Sequence, residues 1–153
     1  MTKDPRGGQF EYFRSMTDPW AGITVPVDIT ELLVSLHGRP FFLSFLYAVM
    51  RAANAVPELR RRLLPDGQVV EYDHCDPSYT VMKPDGTDDS NPRFAWGKYR
   101  EENGRTMLPM SLFINHALCD GWHVTQFYRN LDRELAELSK YLKAQNEQQE
   151  ILQ

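Results

Sequence analysis

The passage from Thr106 to Leu142 constrains this chain more than any other. Leu108, Met110, Leu112 and Ile114 alternate with Pro109, Ser111, Phe113 and Asn115, the period-two pattern of a strand with one wholly apolar face. From Gly121 the period changes. Val124, Phe127, Leu131, Leu135, Leu138 and Leu142 recur at spacings of three and four and draw one apolar stripe along a helix. Such a strand belongs to a sheet covered by helices on one side. After Leu142 the run AQNEQQE is polar all round, so residues 1–142 read as a single domain and 143–153 as a polar tail, a solvated, frayed or helical extension.

The rest of the chain supplies compatible pieces. A short helical turn is expected around Phe10 to Arg14. Ile23 to Val27 is β-branched, and Pro26 directs it to a sheet edge. Asp28 or Thr30 can cap a helix reaching about His37, where Gly38 and Pro40 stop it. Phe41 to about Ala55 is apolar on most faces, predicting a helix buried on nearly all sides and ended by Pro57. Pro65-Asp66-Gly67 turns the chain into a strand at Gln68 to Tyr72, and Tyr79 to Lys83 reads as another strand. The run PDGTDDSNP, 84–92, is a loop. A hairpin follows, from Phe94–Tyr99 through Glu102-Asn103-Gly104 into the strand described above.

Composition narrows the function classes. Asp and Glu number 21 against 17 Lys and Arg, which argues against a nucleic-acid or anionic-membrane surface as the main partner. Cys75 and Cys119 are far apart and form no Cys-x-x-Cys pair, the usage of a reducing compartment. The first residues, MTKDPRGG, have no apolar core of a secretory signal, so a cytoplasmic location is expected. The apolar run Phe41 to Met50 is far short of the about 20 residues a bilayer span needs.

Chemistry concentrates in Asn115-His116-Ala117-Leu118-Cys119-Asp120-Gly121-Trp122-His123, where the buried strand ends and the helix begins. Three readings are open. His116 can be a structural histidine and Asp120 a helix cap. On a continuous helix, His116, Asp120 and His123 would share a face, and with Cys119 they form a ligand-capable set for a metal, although the strand pattern runs up to Asn115. Alternatively, His116 is a general base.

The motif His116-x-x-x-Asp120-Gly121 resembles that of coenzyme A-dependent acyltransferases. Around it, GKYREENGRTMLPMSLFINHALCDGWHVTQFYRNL resembles the C-terminal part of chloramphenicol acetyltransferases, and FEYFRS, VDIT, NAVPELRRRL and DPSYTV resemble the N-terminal part in the same order. The likeness covers about residues 4 to 83 and 93 to 140. A lipoyl-group acyltransferase core shares the motif but fits FEYFRS and DPSYTV poorly.

The resemblance implies an α/β fold: a two-layer sandwich of a mixed sheet covered by helices, shortened in the central part. It implies an O-acetyltransferase moving an acetyl group from acetyl-CoA to a hydroxyl of chloramphenicol or a similar small acceptor, without an acyl-enzyme and without a metal. His116 matches the base, a role suited to imidazole, whose free pKa is about 6.5. Asp120 matches an aspartate paired with an arginine, here Arg6. Asn115, where many members have a further histidine, can brace the neighbouring backbone. Tyr12 and Phe13 match one wall of the acceptor pocket, and Lys98 and Tyr99 a pair beside the coenzyme groove; an ordinary hairpin surface is the other reading of that pair. Arg60-Arg61-Arg62 can attract the coenzyme's phosphates or form a solvated helix end. The family's homotrimer, with each histidine facing a neighbour's pocket, is the implied assembly.

The chain departs from the family pattern between Thr87 and Pro92. The family has a long central segment here, with a Ser-x-x-Pro-Trp stretch whose serine hydrogen-bonds the oxyanion. Asp4 stands where a tryptophan is often found, and Ala95 where a threonine holds water near the oxyanion. These departures carry a second expectation: a catalytically impaired or engineered shortened scaffold of the same fold.

Overall fold

The computed structural model describes residues 8–77 and 91–151. In chain order these form helix α1 (Gln9–Arg14), strand β1 (Trp20–Asp28), helices α2 (Thr30–Ser35) and α3 (Phe41–Asn54), and a single 3-10 turn (Pro57–Arg60). Strands β2 (Arg61–Leu63), β3 (Val69–Glu71), β4 (Arg93–Trp96), β5 (Arg100–Glu102) and β6 (Arg105–Asn115) follow, and helix α4 (Gly121–Ile151) comes last. The expected strand at Tyr79 to Lys83, nearly all of the 84–92 loop, and Arg6 lie outside the described residues. No described helix is long and apolar enough to cross a membrane.

Strand β6 organises the main sheet. It pairs with β1 along one side, from Trp20↔Asn115 to Asp28↔Met107, and with β4 and β5 along the other. All pairings among the described residues are antiparallel, so the mixed character expected of the sheet is not seen within them. The strand bearing Pro26 is at the sheet edge, as its missing N–H requires, and Pro26 faces Pro109 of β6. Strands β2 and β3 form a separate small hairpin.

The apolar face read from the sequence is the core. Leu108, Met110 and Leu112 are 0% exposed and Ile114 2%, and they pack under α2, α3 and α4. On the open face Thr24 and Ser111 hydroxyls pair at 2.7 Å, and the Phe113 ring lies over Gly22, where a side chain would collide with it. The molecule is therefore two layers, helices on one side of the sheet. That layering corrects one expectation about α3. It buries Phe45, Ala48, Val49, Ala52 and Ala53 against the sheet, α4 and the 3-10 turn, while among the described residues Phe42, Leu43 and Tyr47 stay exposed.

The β4–β5 arm is a broken hairpin strand. Trp96 faces Met110 and Arg100 faces Met107, so three residues, 97–99, oppose two and form a bulge. Pro109 lies opposite this break and has no N–H to give the ladder, although its carbonyl still accepts from Gly97 N at 3.1 Å. The Asn103–Gly104 turn has φ of +51° and +74°, the left-handed backbone that those two residue types accept most readily.

At the β1–α2 corner neither Asp28 nor Thr30 is at the cap position, which is Ile29; Asp28, one residue earlier, bonds Thr30. The Asp28 Oδ1 accepts from Thr30 N (3.0 Å) and Thr30 Oγ1 (2.6 Å), and these bonds hold the carboxyl below its usual range, with Arg105 adding to the effect. Helix α4 continues through the polar tail to Ile151. Asn146 is buried there, accepting from Arg39 Nη1 (2.6 Å) and donating to Ser35 O (3.0 Å) at the end of α2. Lys143 pairs with Glu31. Asn146→Ala leaves a buried carbonyl unmet and is expected to cost about 1–3 kcal/mol, read as a lower urea midpoint.

Tyr128 of α4 donates to Met110 O at 2.8 Å, and burial pushes its phenol up to about 12. A raised folded-state value means that the stability it contributes is complete below the free phenol's pKa, about 10, and is lost as pH rises toward 12. Stability should fall across that window in wild type, and less in Tyr128→Phe.

Candidate active site

The buried strand delivers the chemistry-bearing residues to one end of the sheet. Strand β6 ends at Asn115, whose backbone carbonyl accepts from Leu118 N and Cys119 N, both at 3.0 Å, while its side-chain oxygen accepts from Ala117 N at 3.0 Å. Asn115 thus folds the chain into a tight turn with its own amide. His116 N donates to Pro19 O at 2.6 Å, tying the turn to the start of β1. The His116 ring lies at 3.8 Å and 25° to Phe13, a face-to-face stack, and its buried Nδ1 has no hydrogen-bond partner. Phe13 is in turn met edge-on by Tyr12 at 5.2 Å. Helix α1 is held in place by Phe10, packed against the core, and by Arg14, whose side chain covers Gly67 of the β2–β3 turn.

Asp120 starts α4. Its Oδ1 accepts from Trp122 N (3.0 Å) and His123 N (3.3 Å). Asp120 N in turn donates to His123 Nδ1 at 3.1 Å, the reciprocal arrangement of a capping box with histidine in the third helical position. The same Nδ1 is 2.8 Å from Asp120 Oδ1, so a proton on that nitrogen is donated to the carboxylate instead. On the ring's far side Nε2 is 3.6 Å from Glu58 Oε1, and Glu58 also pairs with Arg61 at 3.3 Å. The sequence marks His123 only as a ligand-capable residue. The Asp-x-x-His spacing at a helix start was the available signal for the box, whereas nothing near the motif pointed to Glu58.

The metal reading needed residues 116–123 to be one helix. The helix begins at Gly121, after the histidine, and among the described residues no group of three or more His, Cys, Asp or Glu is placed to hold a metal ion. Cys119 is 2% exposed and Cys75 half-buried; neither is in a disulfide. The three consecutive arginines are neither a free cluster nor a solvated end. Arg60 bonds Asn54 O and the carbonyls of Tyr72 and Asp73, Arg61 pairs with Glu58 and Glu71, and Arg62 donates to Leu59 O and Cys75 Sγ.

The structure brings Phe13, His116, Asn115 and Asp120 together but sets Lys98 and Tyr99 apart. Both are exposed and lie on the bulge opposite Pro109, with the Tyr99 ring 6.0 Å from Phe41. His116 is at the other end of β6, on the order of 20 Å along the strand. A cavity of about 680 Å³ between α3 and α4 is lined by Leu43, Tyr47, Met50 and Glu134, and one of about 580 Å³ beside β4 by Phe42, Arg93 and Trp96. Neither has His116 among its described lining.

The architecture is that of the coenzyme A-dependent acyltransferases. It matches a solved chloramphenicol acetyltransferase with a TM-score of 0.74 at 23% identity, covering 87% of this chain and 96% of that one. It also matches the cubic core of the pyruvate dehydrogenase multienzyme complex, with a TM-score of 0.56 at 15% identity and 88% of each chain. The sequence profile described as "Chloramphenicol acetyltransferase" matches residues 2–91 and 85–132, and the chain belongs to that family. Chloramphenicol acetyltransferase 2 of Escherichia coli is 24% identical over 193 residues, covering 82% of this chain and 90% of that protein. A chloramphenicol acetyltransferase of Clostridium perfringens is 23% identical over 185 residues, 78% of this chain and 88% of that one. The 193-residue alignment exceeds the 153 residues available here, so the relative carries a stretch this chain lacks. The two matched pieces meet at 85–91, which puts the internal shortening where the sequence departs from the family pattern.

Proposed function

We propose that the protein is an O-acetyltransferase that moves an acetyl group from acetyl-CoA to a hydroxyl of chloramphenicol or a similar small acceptor. The observation that carries this reading is the imidazole of His116, stacked on Phe13 in the turn that follows the core strand, at the matching place of a chloramphenicol acetyltransferase family chain. In the reaction, neutral His116 takes the acceptor's hydroxyl proton as that oxygen attacks the thioester carbonyl carbon. The tetrahedral intermediate collapses, the C–S bond breaks, and the imidazolium returns its proton to the leaving coenzyme A thiolate. No acyl-enzyme forms. Asn115, Asp120 and Arg6 support the turn bearing the base, and Tyr12 and Phe13 supply an aromatic wall for the acceptor.

Lys98 and Tyr99 hold the coenzyme's nucleotide end, a cation for phosphate and a ring for stacking. Their distance from His116 suits this ligand, because the pantetheine arm separates nucleotide from thioester. The assembly is a homotrimer in the cytoplasm, built on one domain over 1–142 with 143–153 as an extension.

A second reading is favoured by the missing central segment: a shortened scaffold of the same fold without turnover. The segment includes the family's oxyanion-binding serine, and losing one such donor costs about 100- to 1,000-fold in rate. Thiol release from acetyl-CoA, followed with and without chloramphenicol, separates the two. Acceptor-dependent release supports the acetyltransferase, and equal rates leave the scaffold. Light scattering checks the trimer, and a monomer would remove the shared site.

A further inference from the structure

We infer that His123 is a positioning residue for His116, acting through Asp120; the inference rests on the reading of His116 as the base. The argument begins with what holds the base. The His116 Nδ1 is buried without a hydrogen-bond partner, so no bond at that nitrogen fixes the ring's direction, and the Phe13 stack restrains only its tilt. The imidazole is therefore aimed by its backbone. That backbone is a turn fixed at two ends. Asn115 and Pro19 hold the first, through the bonds to Ala117 N, Leu118 N, Cys119 N and His116 N. Asp120 holds the second.

Asp120 is in turn held by His123. The ring accepts from Asp120 N at 3.1 Å while the Asp120 carboxylate accepts from His123 N at 3.3 Å, so the two residues lock each other across the first turn of α4. Helix capping alone would not need histidine. The ring, however, has a second edge, and its Nε2 faces Glu58 at 3.6 Å. Glu58 belongs to the 3-10 turn after α3 and pairs with Arg61, which reaches Glu71 at 3.0 Å. His123 is 13% exposed in its side chain and Glu58 18%, so the contact is largely shielded from water. The end of the catalytic turn is thus tied through one ring to a separate part of the fold, the small β2–β3 hairpin. A residue that only ended a helix would leave that turn free to swing with α4.

The test uses the full chain and three variants. His123→Ala removes both contacts, His123→Leu removes the nitrogens while keeping bulk, and His123→Gln restores a capping-box side chain of similar reach. Two readouts are needed: kcat and KM for acetyl-CoA, and the Cε1–H resonance of His116 in NMR spectra. For Ala and Leu, kcat should fall about 10- to 100-fold with KM within about twofold, and the His116 resonance should move. Gln should restore both.

Unchanged kcat and an unmoved resonance in the Leu variant overturn the inference, as does a fall in melting temperature alone with full kcat per folded molecule. Where the wild-type protein shows no acceptor-dependent thiol release, the acetyltransferase reading fails separately. The resonance then decides alone: a shift in Leu that Gln reverses supports the positioning role, and no shift refutes it.

Discussion

Replacing His116 by alanine is expected to lower acceptor-dependent thiol release from acetyl-CoA by about 100- to 10,000-fold, the span that positioned general bases contribute. The side chain projects from a turn whose bonds are made by backbone atoms, Asn115, Asp120 and His123 and not by the His116 ring, so its removal leaves the turn intact. The Phe13 ring loses its stacked partner and gains solvent. Coenzyme binding, if it is at Lys98 and Tyr99 as proposed, is far along β6 and should be unaltered. The variant should therefore bind coenzyme A as wild type does, measured by calorimetry, while turnover disappears. A variant that kept wild-type turnover would remove His116 from the chemistry, and one that lost coenzyme binding would show that the two ends of the strand are not independent.

The largest stability effect is expected from Phe127→Ala, about 3–5 kcal/mol. Phe127 is 0% exposed, and its ring centroid lies 5.2 Å from Phe94 of β4 and 5.1 Å from Tyr128. It is the point where the long helix presses on the sheet. The neighbouring Phe94 and Tyr128 cannot both move into the void, because Phe94 is fixed by pairing with Leu112 and Tyr128 by its bond to Met110 O. The cavity therefore stays open. Urea unfolding should show a lower midpoint with an unchanged slope. A loss below about 1 kcal/mol would mean that the site collapses, so that α4 and the sheet are less firmly seated than their contacts imply.

What could be read from the sequence follows from how local each cause is. The alternation at 108–114 and the stripe from Val124 to Leu142 are periodic, so the core face and the long helix were legible, as was the turn at Asn103–Gly104. The His116 turn was also legible, because a strand pattern and a helix pattern meet there. The break between β4 and β5 was missed because its cause lies across the sheet, at Pro109. The open side of α3 was missed because apolar content does not reveal how many neighbours an element has. Asn146 looked solvated because its partners, Arg39 and the carbonyl of Ser35, are more than 100 residues away in the chain. The Phe13–His116 stack was expected only as a shared pocket, since no local pattern joins a residue before β1 to one after β6.

Every described strand of the main sheet pairs with β6 and with no other. A nascent chain leaving the ribosome can wind α3 early, but β1 must wait for residues 107–115 before it has anything to zip onto. Folding of the sheet thus waits until β6 has been made and depends on closing a large loop, which predisposes the chain to slow, non-local assembly.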